Sequence, residues 1–248
     1  VASEAHSPLA QFKISTIQPF HPFGIDASFT NASLIMVVVV GLITLFIVAG
    51  MRNATIVPGR FQGMVEFFYE FIANLLKENT GSAGKQFFPL IFSLFMFILG
   101  CNLIGLFGAI TVTSHIIVTF ALAFLVITIV TVVGFVKHGT HYFSYFAPAG
   151  APMWLMPLMI PLEIISYLIR PISLSVRLFA NMVAGHVMLG VLGTFVVGLG
   201  GLFFALGAIP LVAIPMIFAL EVLVALLQAY VFAILTCIYL NDAIHLAH

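Results

Sequence analysis

The residues able to do chemistry in this chain are few and lie in its last third. Arg177 sits inside "SLSVRLFANMVAGH", the stretch from Ser173 to His186. Arginine keeps its charge in a protein, and a charge at the centre of a bilayer costs roughly 2.5–3.5 kcal/mol on insertion scales. At helical pitch Arg170 falls about 20° from Arg177, and Glu163 and Asn181 about 40°. These four form one polar stripe on an otherwise apolar helix, while His186 points to the opposite side. Downstream, Glu221 and Gln228 stand seven residues apart on a shared face, and Asp242 follows. Ionisable residues inside membrane spans mark ion or proton routes, and histidine exchanges protons near neutral pH. The chemistry on offer is proton exchange beside a fixed cation.

The elements that hold these residues follow from composition. Of 248 residues, 62% are hydrophobic and 6% charged, against about 25% charged in soluble domains. This is an integral membrane protein. A net charge of zero gives no reason to expect nucleic acid. Cys101 and Cys237 lie far apart in apolar segments without zinc spacing, and neither a metal nor a cofactor is expected.

Charges punctuate the spans. The uncharged run from Asp26 to Arg52 holds one spanning helix, 34–51, after a polar outside segment, 1–30. The uncharged run from Lys85 to Lys137 holds two, 87–107 and 116–136. Between these runs, 61–79 has the 3.6-residue period of an amphipathic helix lying on the membrane surface. The last apolar block is divided at Gly198–Gly201 into two arms, 155–192 and 208–241. From Pro157 to Leu192 alone a helix runs roughly 54 Å, against a bilayer core of about 30 Å. The fold class is therefore an all-α membrane protein. It is expected to be a single domain, 1–248, with about five membrane-embedded helices, one amphipathic surface helix and a long, steeply tilted C-terminal hairpin.

Arg52, Arg60, Lys77, Lys85 and Lys137 fall on one side of these spans, the inside by the positive-inside rule. Folding the hairpin antiparallel about its glycines pairs Arg177 with Gln228, Glu163 with Asp242 and His186 with Glu221 in one register, to within about two residues. Glu163 and Asp242 then lie inward, His186 and Glu221 outward, with Arg177 between. A continuous wire of such groups would leak protons, and a fixed cation raises the cost of direct passage. The stripe reads as a gate for an exchangeable acid that another chain supplies.

At these residues the sequence resembles subunit a of the F-type ATP synthases. "SLSVRLFANMVAGH" carries the resemblance with "LLQAYVFAILTCIYL" on the return arm, "SPLAQF" near the start and "CNLIGL…TSHI" in the middle. The resemblance implies a proton-translocating stator without a catalytic site of its own. Arg177 would meet the carboxylates of a c-subunit rotor ring. His186 and Glu221 would line an outer half-channel, Glu163 and Asp242 an inner one, and Asn181 and Gln228 would be polar partners near Arg177. Implied partners are the c-ring, b-type peripheral-stalk subunits, the other synthase subunits, the lipid bilayer and protons. The implied location is the inner membrane of a bacterium or mitochondrion.

Other readings are open at single residues. Arg170 is expected to be an interface anchor. Asn102 and His115 line the outer channel or make interhelical hydrogen bonds. "HGTH", His138–His141, is expected to be a wet loop, and "NTGSAGK" lacks the spacing of a nucleotide loop. The rival function is a self-contained proton-coupled transporter, which calls for internal repeats that the chain does not show.

Overall fold

In a computed structural model, residues 16–18, 28–52, 54–107, 111–146, 155–202 and 204–245 are described. Six α-helices follow in order: α1 Asn31–Met51, α2 Arg60–Thr80, α3 Phe88–Leu106, α4 Ile116–His138, α5 Met156–Leu202 and α6 Phe204–Ile244. Among the described residues, five helical segments are long and apolar enough to cross a membrane. The chain is an all-α membrane protein. Inside hydrocarbon every backbone N–H and C=O must be satisfied within the chain, which is why apolar runs of this length become helices.

Two features depart from the sequence reading. Within the polar segment before α1, β1 (Thr16–Gln18) pairs antiparallel with β2 (Phe29–Thr30). The expected turn at Gly198–Gly201 does not form: α5 continues through those glycines to Leu202, and α6 begins at Phe204. Glycine in a helix costs about 1 kcal/mol relative to alanine, less than a backbone group left unbonded in an apolar medium. Most of the expected outside segment, 1–30, including "SPLAQF", falls outside the described residues.

The chain packs as two compact units. The first comprises Val1–Ile47, Met96–Ile116 and Leu178–Ala229; the second comprises Val48–Phe95, Ile117–Arg177 and Tyr230–His248. α5 and α6 contribute to both, because helices of 47 and 41 residues meet different neighbours along their length.

In the first unit, α1 starts with two side-chain caps. Thr30 Oγ1 accepts from the Ser33 N–H at 3.3 Å and Asn31 Oδ1 from the Ala32 N–H at 2.9 Å, satisfying amides that open a helix. Gly100 of α3 lets Val39 and Ile43 of α1 approach, with room for a Cβ lacking on the Val39 side. Leu106, Met182 and Ala225 form a buried cluster against which Leu103, Phe218 and Val222 pack. Asn102 is fully buried, and its Nδ2 donates to the Ala225 carbonyl at 3.4 Å, joining α3 to α6.

In the second unit, the Gln62 side chain clamps the loop before α2. Its Oε1 accepts from the Thr55 N–H at 3.1 Å and its Nε2 donates to the Thr55 carbonyl at 2.9 Å. The apolar face of α2 is buried through Val65, Ile72, Leu75 and Leu76. Phe71 meets Phe95 of α3 at 5.8 Å and Tyr230 of α6 at 5.7 Å between ring centroids. Gly139 at φ 57° reverses the chain after α4. Tyr142 thereby folds back onto Gly134, in a space that a Cβ at 134 would occupy. The Tyr142 hydroxyl faces that of Tyr167 at 3.5 Å, and Tyr167 in turn bonds Thr131 of α4. His138 of the "HGTH" stretch bonds the Ile244 carbonyl at 3.1 Å, tying the ends of α4 and α6.

Candidate proton-exchange sites

The first unit holds the His186–Glu221 site. α5 presents Asn181, Gly185 and His186, and α6 presents Glu221 and Val224, around a cavity of about 10 Å³. That is the space of a single water. Leu106 and Met182, from the buried cluster, close its apolar side. Both His186 and Glu221 are buried, at 8% and 9% exposure. Neither Glu221 carboxylate oxygen has a hydrogen-bond partner among the described residues. A buried carboxylate without a donor is costly, so Glu221 stands here as an unsatisfied polar group beside a space the size of one water.

Gly185 decides how close Glu221 comes. A Cβ at 185 would lie 2.6 Å from Glu221 Oε1 and 2.9 Å from its Cδ, well inside van der Waals contact. The carboxylate is seated against bare helix backbone. Sequence reasoning missed Gly185, although the register that faces His186 with Glu221 also brings the neighbouring glycine to the same place. Asn181, expected near Arg177, lines this cavity. One helical turn carries it there, since residues four apart share a face.

Further unpartnered polar atoms of the first unit include Asn102 Oδ1, Thr113 Oγ1 and His115 Nε2, all buried. Asn102 uses its amide for the interhelical bond that the sequence reading allowed, yet leaves its carbonyl free. Burial holds the His115 imidazole, which lies between α3 and α4, below the ordinary histidine range. Gln228 is buried and makes no hydrogen bond among the described residues.

The second unit holds the other carboxylates. Arg170 bridges them: its Nη2 lies 3.9 Å from Glu163 Oε1 and its Nη1 3.7 Å from Asp242 Oδ2. The guanidinium also lies over two rings, 5.6 Å from the centroid of Tyr167 and 5.0 Å from that of Tyr239. Planar, always charged and able to fork, arginine suits such a four-sided seat better than lysine. Beside the interface-anchor role expected of it, Arg170 is the cation between Glu163 and Asp242. The heptad spacing of Glu163 and Arg170 carried that signal. The tyrosines carried none, because their approach depends on how α5 and α6 pack.

Arg177 closes the α5 segment of the second unit. It is exposed and makes no hydrogen bond or ion pair among the described residues. Ile169, Ile172 and Val176 of the same helix are exposed as well.

The fold and these residues define a multi-pass helical membrane protein with ionisable side chains inside its spans, the class in which such residues mark ion or proton routes. Residues 33–241 match the family model for the ATP synthase A chain. The chain is 52% identical over 244 residues to ATP synthase subunit a of Paramagnetospirillum magneticum, covering 97% of this chain and 99% of that protein. It is 56% identical over 245 residues to ATP synthase subunit a of Parvibaculum lavamentivorans, covering 97% and 94%. With ATP synthase subunit a of Rhizobium etli it shares 55% over 249 residues, covering 97% and 98%. This chain belongs to the ATP synthase A chain family. It is a proton-translocating membrane subunit of an ATP synthase.

Proposed function

We propose that this subunit carries protons to and from a partner's carboxylates by two separate routes, with Arg177 as the barrier between them. The supporting observation is Arg177 itself: a permanent cation, exposed on a largely apolar helix and without a counter-ion among the described residues. Such a charge is tolerated in a membrane only where a partner meets it. The partner is a ring of c subunits whose mid-membrane acid passes Arg177 in turn. Beside the cation each acid is favoured in its ionised form and gives up its proton. His186 and Glu221, with Asn181 and the one-water cavity, serve the outer route. Glu163 and Asp242, poised on Arg170, serve the inner one. Gln228 is a polar neighbour of the route near Arg177. The b-type peripheral-stalk subunits hold the chain against rotation. The bacterial relatives favour the inner membrane of a bacterial cell.

The test is Arg177→Ala in the complete synthase, reconstituted into vesicles. ATP-driven proton pumping and gradient-driven ATP synthesis should both be abolished while the complex still assembles. An assembled variant that pumps at near-normal rate would refute the assignment.

A further inference from the structure

Away from the proton-exchange residues, the second unit carries a cleft of about 480 Å³ where α2 gives way to α3. This volume lies in the range of ligand pockets. Its walls include Tyr69, Asn74 and Lys77 from α2, Lys85 from the connecting turn, and Phe88 and Pro89 from α3. The local fold brings the two lysines together. Gly81, at φ 63°, ends α2 and donates its N–H to the Lys77 carbonyl, and the 3-10 turn Gly81–Phe87 then carries Lys85 to the same cleft. None of the lining residues is acidic. Neither ammonium makes a hydrogen bond or ion pair among the described residues.

The lining is mixed in kind. It carries two lysines together with aromatic and aliphatic groups, the Tyr69 and Phe88 rings standing 4.6 Å apart at their centroids. A soluble anion would use the lysines and leave the apolar groups idle. A partner helix would use the apolar groups and bury two unpaired ammoniums, at a heavy desolvation cost. A phospholipid with a net negative headgroup uses both, with phosphate at the lysines and upper acyl chain along Phe88 and Pro89. The place suits it: α2 is the amphipathic helix, α3 enters the membrane at Phe88, and tyrosine favours the headgroup level. Basic residues beside a membrane attract anionic lipid.

We propose that the Lys77–Lys85 cleft is a binding site for an anionic phospholipid, which fastens the surface helix α2 to the start of the spanning helix α3. The complete synthase, in nanodiscs containing equal amounts of diazirine-bearing phosphatidylglycerol and phosphatidylcholine, tests it by peptide mass spectrometry after illumination. Peptides covering Tyr69–Pro89 should carry the phosphatidylglycerol adduct in roughly tenfold excess. Lys77→Gln with Lys85→Gln should bring the two adducts to parity, while Arg52→Gln with Arg60→Gln should leave the excess intact. Equal labelling by both lipids in the unsubstituted complex would overturn the proposal, and that arm decides even if the lysine variant fails to assemble. So would an excess that survives the lysine substitutions or vanishes with the arginine pair. Loss of the adduct on adding excess inorganic phosphate would make this a free-anion site. A cross-link from these peptides to another subunit, with no lipid adduct, would make it a protein interface.

Discussion

Gly185→Ala isolates the geometry of the Glu221 site with the smallest possible change. The added Cβ would stand 2.6 Å from Glu221 Oε1, where ordinary contact begins at 3.4 Å, so the oxygen must retreat by about 0.8 Å. The whole carboxylate moves, because Cδ and Cγ would also be crowded, at 2.9 and 3.3 Å. A cavity of about 10 Å³ leaves little slack for the move. Misplacing a reacting group by about 1 Å can lower a rate about 100-fold, so passive proton conduction should fall roughly 10–100-fold. Helix propensity works the other way, since alanine stabilises a helix interior by about 1 kcal/mol over glycine. The complex should therefore assemble and melt no lower than the parent. Gly193→Ala, eight residues along the same helix, is the matched control: nothing lies within 4 Å of its added Cβ. The assay is potassium-potential-driven proton uptake into vesicles holding the membrane sector stripped of its catalytic head. If Gly185→Ala and Gly193→Ala both conduct within twofold of the parent, Gly185 does not seat the carboxylate and the reasoning fails.

Replacing His186 or Glu221 with Leu should slow the same proton uptake, and exchanging the two residues should restore part of it; unchanged conductance in both single variants would remove them from the route. Gly134→Ala should destabilise the second unit by about 1–3 kcal/mol, because the new methyl displaces the buried Tyr142 ring; the unfolding midpoint of the purified complex measures it. His115 yields a pH test. Its folded pKa is lowered by burial, so on acidification the unfolded chain binds the proton first. Stability is complete above about pH 6.5 and declines below it. His115→Asn should flatten that acid-side decline when unfolding midpoints are compared at acid and neutral pH.

Much of the fold is legible in the chain itself. Uncharged runs bounded by lysine and arginine mark spans because hydrocarbon excludes charge. The period of Phe61–Thr80 marks a helix with one wet face. The sequence reading ends the first arm at 192, whereas α5 runs on to Leu202, because glycine is a turn signal in water and a tolerable helix residue in lipid.

At the site, the sequence by itself determined which chemistry was available. Arginine, histidine and carboxylates at helical spacing in an apolar chain leave proton exchange as the natural reading, since each must justify its desolvation. Helical pitch was enough to put Glu163 with Arg170, and Asn181 one turn from Gly185. Only the tertiary structure decided what each group touches. It gave Arg170 two carboxylates and two tyrosine rings, pressed Glu221 against Gly185, and left Arg177 without a counter-ion among the described residues. Pitch sets directions along one helix, whereas these contacts depend on the distance between helices, and a single missing Cβ changes that distance by enough to admit or exclude a carboxylate.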